Sequence, residues 1–185
     1  MKHRKQILRE RLVTLLRNQK EEERLTKSLI IQDKLFKMRE FEQASLILFY
    51  ASFDGEVETF SMMKKVFQMG KKIGLPRVFQ QQRTLIPTLL ENLEGRLEPG
   101  PYGIVQPKAP GSSPLTFDEI DMVIVPALAF DKENHRLGRG AGYYDRFLEK
   151  LPSNVPTVGL AFDFQIVEQL PRQDHDVAVT HVLVN

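Results

Sequence analysis

"DMVIVPALAFDKENHRLGRGAGYYDRFL", residues Asp121–Leu148, is the stretch whose reading decides the fold. "DMVIVPALAF" is the most hydrophobic strand candidate in the chain, short and apolar enough to be buried on both faces. A glycine-rich loop follows, and then a helical pattern beginning near Gly142 and running to Lys150. Strand, glycine loop and helix in that order form the repeating unit of α/β proteins, in which ligands bind beyond the carboxyl ends of the strands.

Working outward, the same alternation recurs. On the N-terminal side, Leu8, Leu12, Leu15 and Leu16 repeat at helical spacing. A second helical stretch carries Leu25, Leu29, Leu35 and Phe36. "SLILFYAS" (Ser45–Ser52) reads as a buried strand, and Thr59 is placed to cap a helix through Met62, Met63, Val66 and Phe67 with Gly70 near its end. "IGLPRVF" and "TLIPTLL" read as strands, each carrying a proline that favours a sheet edge or a strand end. Residues 98–114 are rich in proline and glycine and read as a long ordered loop. Beyond the glycine loop, "TVGLAF" reads as a strand, "QIVEQL" as a short helix and "HVLV" as a last strand. The expectation is one α/β domain over 1–185, with a mainly parallel central sheet and helices on both faces.

Composition narrows the function classes. Hydrophobic residues are 42% and charged residues 27% of the 185, a globular profile with no apolar run long enough to span a bilayer. The chain has no cysteine, which excludes disulfides, thiolate metal sites and a cysteine nucleophile. A net charge of +2 argues against a nucleic-acid partner. The basic N-terminal stretch has the amphipathic look of a transit peptide. It contains Glu10, lacks serine and runs into Glu21, Glu22 and Glu23, which favours a surface helix of a cytoplasmic protein.

The loop from Arg136 to Tyr144 carries its own chemistry. Gly138, Gly140 and Gly142 allow backbone to approach an anion closely, and Arg136 and Arg139 offer charge-assisted hydrogen bonds. It lacks the Gly-Lys-Ser/Thr ending of a Walker A loop and the spacing of a dinucleotide-binding fingerprint. On these grounds it is either a phosphate-binding loop or a tight turn with solvated arginines.

"AFDKENHRLGRGAGYYDRFL" resembles the signature of the 5-formyltetrahydrofolate cyclo-ligase family, also called methenyltetrahydrofolate synthetases. "KQILR" (Lys5–Arg9), "YASFDGEVET", "LPRV", "YGIVQP", "VGLAFDFQ" and "HD" resemble further landmarks of that family in the same order. Asn134 stands where many members have glycine, and Thr180 where an aspartate is common. The resemblance implies ATP- and magnesium-dependent closure of 5-formyltetrahydrofolate to 5,10-methenyltetrahydrofolate, with release of ADP and phosphate. It implies ATP contacts from Lys5, Arg9 and the run Arg136, Leu137, Gly138, Arg139, Gly140, Ala141, Gly142, Tyr143 and Tyr144. It implies folate contacts from Ala51, Glu56 and the run Arg139–Tyr143, with Tyr102 offered as a flat wall for the pterin. Asp145 and Asp176 match magnesium ligands, and Arg139 and Asp145 are the expected catalytic pair. His175, beside Asp176, reads as structural.

The residues by themselves leave other readings open. Lys5 and Arg9, four apart, could be a solvated helix face. Asp145 could be a first-turn carboxylate, and each tyrosine could be ordinary packing. A non-catalytic nucleotide- or folate-binding regulator of the same fold and a sugar-phosphate enzyme are the competing functions.

Overall fold

The computed structural model describes residues 2–94, 96–109, 112–171 and 176–185. The apolar runs form the centre of a six-stranded sheet. Its strands are β1 (Leu46–Leu48), β2 (Lys72–Phe79), β3 (Thr84–Leu90), β6 (Met122–Val125), β9 (Thr157–Ala161) and β11 (His181–Val184), in the order β11-β9-β6-β1-β2-β3. The neighbouring pairs are parallel except for β3, which runs antiparallel to β2 at one edge. Alternate residues of β1 and β6 face opposite ways, as a strand pleat requires. Ile47, Met122 and Ile124 join a core with the helices α1 (Lys2–Arg17), α2 (Glu21–Phe36), α3 (Arg39–Gln43) and α4 (Phe60–Gln68). Leu46, Leu48, Val123 and Val125 join a second core with Phe147 and Leu148 of α5 (Tyr143–Leu148) and with Leu115 and Phe117 of a connecting segment. Helices thus cover both faces, unequally. No helix among the described residues is long and apolar enough to cross a membrane.

Several local expectations are corrected by tertiary structure. "DMVIVPALAF" is two strands, not one. Pro126 has no N–H to continue the ladder, and after it β7 (Ala129–Asp131) leaves the main sheet for a three-stranded sheet with β8 (Arg136–Leu137) and β10 (Ile166–Val167). The glycine loop therefore leaves a hairpin, β7–β8, rather than the main strand. Asn134 turns that hairpin with φ 63°, a left-handed conformation that asparagine tolerates and that explains the kinship of this position with glycine. "QIVEQL" opens on the last residue of a 3-10 turn, Asp163–Gln165, and continues as the strand β10 rather than as a helix. The Gln165 carboxamide accepts from Phe162 N–H at 2.8 Å and donates to Ala127 and Leu128 carbonyls at 2.9 and 3.2 Å, which lays Ile166 and Val167 beside β7. The helix after the loop is shorter than expected, ending at Leu148.

The leucine stripes are also displaced. In α1, Leu12 and Leu16 are buried but Leu15 is exposed, and in α2 the buried face is Ser28, Ile31, Gln32 and Leu35 while Leu25 and Leu29 are exposed. Ser28 lies inward because its hydroxyl accepts from the Glu58 N–H at 3.0 Å, tying α2 to the segment after β1. Thr59 sits at the start of α4, but its hydroxyl serves the chain before it, donating to Tyr50 O at 2.7 Å. The Glu58 carboxylate caps α4 instead, accepting from Phe60 and Ser61 N–H groups at 2.7 and 3.0 Å.

The prolines of β2 and β3 behave as edge residues. Pro76 faces Pro87 across the hairpin, beyond Gly74 where pairing with β1 ends. Within 98–114 the expected loop contains a small hairpin, β4 (Leu97–Pro99) with β5 (Val105–Pro107); Pro110 and Gly111 lie outside the described residues. Thr180 ties β11 to β9 through reciprocal hydrogen bonds with Thr157.

Gly159, in the middle of β9, has no room for a side chain: an added Cβ would lie 2.3 Å from the Phe130 ring. Gly159→Ala is expected to lower stability by about 1–3 kcal/mol, the usual cost of overpacking a core. Urea unfolding checks this, and an unchanged midpoint would show that β7 can yield.

Candidate active site

Chain direction creates a crevice at the carboxyl ends of β1 and β6. From β1 the chain crosses to β2 on one side; from β6 it proceeds to β9 on the other. Such a reversal point is where open α/β sheets bind ligands. A cavity of about 1010 Å³ opens there. Its walls come from α1, from the Tyr50–Glu56 segment after β1, from Pro126–Leu128 after β6, from the glycine loop and from the β4–β5 hairpin. It is as large as the upper end of ordinary small-molecule pockets.

One end is cationic. Lys5 and Arg9 share a face of α1 and both reach the cavity. Lys5 Nζ lies 2.9 Å from Asp176, and Arg9 Nε donates to the Gly138 carbonyl at 3.0 Å. Arg136 is buried against the Tyr144 ring, its guanidinium 5.5 Å from the ring centre, with Nη2 at 2.6 Å from Asp145. Burial lowers the Arg136 pKa, against the opposing pull of Asp145. Arg136 Nε and the Tyr144 hydroxyl are buried without a hydrogen-bond partner. Two such donors beside a cavity leave unmet hydrogen-bonding capacity there. The loop is held in shape by arginines: Arg146 donates to Ala141 O at 2.9 Å and to Arg83 O at 2.7 Å. Leu137 is buried, so its side chain packs into the core beneath the loop.

The other end is built on "FDGE", Phe53–Glu56. Gly55 presses so closely on α1 that an added Cβ would lie 2.1 Å from the Leu16 carbonyl oxygen, and its φ is +83°. Asp54 receives Arg17 at 2.6 Å and Arg139 at 3.0 Å; burial would raise its pKa, but these two arginines hold it below the usual carboxylate range. Arg139 also reaches Glu56 at 3.3 Å and lies 4.1 Å above the Phe53 ring. Burial pushes the Glu56 carboxyl up to about 7, against the pull of Arg139 and of the Phe53 N–H. Ala51 lines the same wall. Tyr102, at the hairpin tip with φ 62°, stands at the rim, its hydroxyl 3.4 Å from that of Tyr143.

Asp145 and Asp176 both line the cavity. Among the described residues no group of three or more His, Cys, Asp or Glu is placed to hold a metal. Two carboxylates beside the cationic side chains of Lys5, Arg9 and Arg136 nonetheless suit magnesium, which takes one or two carboxylates and completes its shell with phosphate and water. His175 lies outside the described residues. The structure thus gathers the sequence-predicted Lys5, Arg9, Ala51, Glu56, Tyr102, the Arg136–Tyr144 loop, Asp145 and Asp176 around one space. It adds Arg17, Asp54 and Pro126–Leu128. Arg17 stands eight residues beyond Arg9 on α1, with Val13 between them, so the spacing of Lys5 and Arg9 does not single it out. Nothing local marked Asp54.

The profile of the 5-formyltetrahydrofolate cyclo-ligase family matches residues 1–185. The chain is 33% identical over 184 residues to a Mus musculus 5-formyltetrahydrofolate cyclo-ligase, covering 95% of this chain and 91% of that protein. It is 34% identical over 147 residues to the Haemophilus influenzae enzyme of the same name, covering 78% of each. The Aquifex aeolicus 5,10-methenyltetrahydrofolate synthetase structure superposes with a TM-score of 0.84 at 30% identity, covering 97% of this chain and 89% of that one. A Mycoplasma pneumoniae synthetase structure shares the fold, with a TM-score of 0.77 at 22% identity over 97% of each chain. Sequence profile, curated relatives and solved structures agree: the chain belongs to the 5-formyltetrahydrofolate cyclo-ligase family.

Proposed function

We propose that this protein closes 5-formyltetrahydrofolate to 5,10-methenyltetrahydrofolate while converting ATP to ADP and phosphate. The observation that carries the reading is one cavity lined both by a cationic glycine loop with Lys5 and Arg9 and by the buried carboxyl of Glu56. The formyl oxygen is a poor leaving group. In the proposed reaction it attacks the γ-phosphorus, ADP departs, and the oxygen becomes part of a phosphate ester. The neighbouring N10 amine then attacks the formyl carbon, the C–O bond breaks, phosphate leaves and N10 loses its proton. Ring closure is intramolecular, so orientation can lower its barrier by about 7–11 kcal/mol.

This chemistry asks for positioning and charge neutralisation rather than a protein nucleophile. Lys5, Arg9 and Arg136 would cradle the phosphates, with Arg136 Nε and the Tyr144 hydroxyl offering free donors. Glu56 would accept pterin N–H groups, with Tyr102 and Tyr143 closing the mouth. Asp145 and Asp176 are the residues that would hold magnesium, which neutralises phosphate charge when bound.

Incubation with 5-formyltetrahydrofolate, ATP and magnesium should produce methenyl absorbance, and omission of ATP should abolish it. Binding of both ligands without turnover would point to the regulatory reading, and indifference to ATP would defeat the mechanism.

A further inference from the structure

We propose that Asp54 is a positioning residue: anchored by Arg17 of α1, it holds the Arg139 guanidinium on the Glu56 wall rather than on the phosphate side of the cavity. The inference rests on the proposed reaction for its functional meaning, but its geometry stands without it. Asp54 Oδ1 accepts from Arg17 Nε at 2.6 Å, and Asp54 Oδ2 accepts from Arg17 Nη2 at 3.1 Å and Arg139 Nη1 at 3.0 Å. The remaining amino group of Arg139, Nη2, reaches Glu56 Oε1 at 3.3 Å. One planar guanidinium therefore spans two carboxylates, with its face on the Phe53 ring, a two-point hold that lysine could not make.

Local geometry fixes the anchor. Asp54 has φ 55°, a left-handed conformation that aspartate, like asparagine, adopts more readily than most residues, and its surroundings hold it there. Those surroundings are the C-terminal turn of α1. Gly55 presses on the Leu16 carbonyl, and Gln19 Nε2 donates to both the Leu16 and Gly55 carbonyls at 3.0 Å. The helix that presents Lys5 and Arg9 to the cationic end thus also carries the stay for Arg139 at the other. Of the three arginines in residues 136–146, Arg136 pairs within its own end, Arg146 holds carbonyls, and Arg139 is drawn across to the Phe53–Glu56 turn.

Two roles for Asp54 predict opposite results. The groups that bear on the Glu56 carboxyl are Arg139, Asp54 and the Phe53 N–H, with the Tyr50 and Tyr144 hydroxyls near enough to feel its charge; Arg24 holds the Glu56 carbonyl. As a mere negative neighbour, Asp54 disfavours ionised Glu56, so removing its charge would ease that ionisation. As the holder of Arg139, it favours ionised Glu56, so removing it would let the cation leave and make ionisation harder. Asp54→Asn in the full chain, with Glu56 followed by carboxyl-carbon NMR, reads the difference directly. The expected result is a titration midpoint raised by about half a pH unit or more, the direction a departing cation produces. An unmoved or lowered midpoint would overturn the proposal. Should Asp54→Asn fail to fold, Arg17→Met, which removes the anchor and keeps Asp54, is expected to move the midpoint the same way by less; no movement there also overturns it.

Kinetics supply the second readout. At about pH 7 the KM for 5-formyltetrahydrofolate should rise about tenfold in Asp54→Asn, the scale of one weakened charge-assisted hydrogen bond, while the KM for ATP stays level or falls. A rise in the ATP KM alone would place Arg139 on the phosphates and overturn the assignment. Because the NMR titration needs no turnover, a protein that made no methenyl product would refute the proposed reaction and leave the positioning question answerable.

Discussion

Asp145→Asn is expected to lower turnover by about a hundredfold or more. A metal bound at this carboxylate would contribute several kcal/mol of charge stabilisation to phosphoryl transfer, and each 1.36 kcal/mol is a factor of ten. Asp145 also accepts from Arg136 at 2.6 Å, so the substitution touches the cradle itself. Asparagine keeps an acceptor oxygen for that bond but removes the charge. The folding cost should therefore stay within about 1.5–3 kcal/mol, the value of a hydrogen bond to a charged group. Thermal melting separates the two effects. Across a magnesium titration the variant's rate should be low and its curve displaced to higher metal concentration. A curve of wild-type shape would remove Asp145 from the metal site and leave it as the counter-charge of Arg136.

Glu56→Gln should weaken folate binding by about tenfold to a hundredfold, from a charge-assisted hydrogen bond worth roughly 1.5–3 kcal/mol. ATP affinity should change little, because Lys5, Arg9 and Arg136 pair with Asp176, the Gly138 carbonyl and Asp145 rather than with Glu56. The same substitution should stabilise the fold at alkaline pH. With a folded pKa of about 7 against 4.5 for an ordinary glutamate, Glu56 holds its proton more tightly folded than unfolded. Wild-type stability should then fall as pH rises from about 4.5 to about 7, and remain lower above that, by up to about 3 kcal/mol at 1.36 kcal/mol per unit. Glutamine has no charge to bury, so the variant should melt higher than wild type at pH 8 and equally at pH 4. In wild type, folate affinity should fall as pH drops through about 7 and Glu56 takes up its proton. Calorimetric titration with each ligand alone checks the assignment; lost ATP affinity with intact folate affinity would show the two ends reversed.

The glycine loop and Asp145 were legible because one contiguous stretch carries them, while Lys5, Arg9 and Asp176 came from two short separate stretches, KQILR and HD; the structure places all of them on one cavity. The alternation of strands and helices was legible because burial on both faces leaves short apolar runs and glycine or proline marks their ends. Errors came where a local pattern had two outcomes. "DMVIVPALAF" is apolar throughout, and only the departure of β7 into a second sheet shows that Pro126 ends the strand. In α2 the leucines Leu25 and Leu29 suggested one face, while the hydrogen bond from Glu58 N–H to Ser28 turned another inward.

The sequence by itself determined the chemical inventory: no thiol, a cationic glycine loop, two aspartates beyond it, and one acidic turn after an apolar strand. Tertiary structure decided how that inventory is wired. Asp54 and Arg139 are 85 residues apart, and Lys5 and Asp176 are 171 apart. No helical or strand period relates such positions, so their pairing is set only when the sheet brings α1, the turn after β1 and the glycine loop together at the carboxyl ends of β1 and β6. The ionisation of Glu56 is of the same kind. A carboxyl side chain has one intrinsic affinity for its proton, and the shift to about 7 comes from the water that packing removes around it.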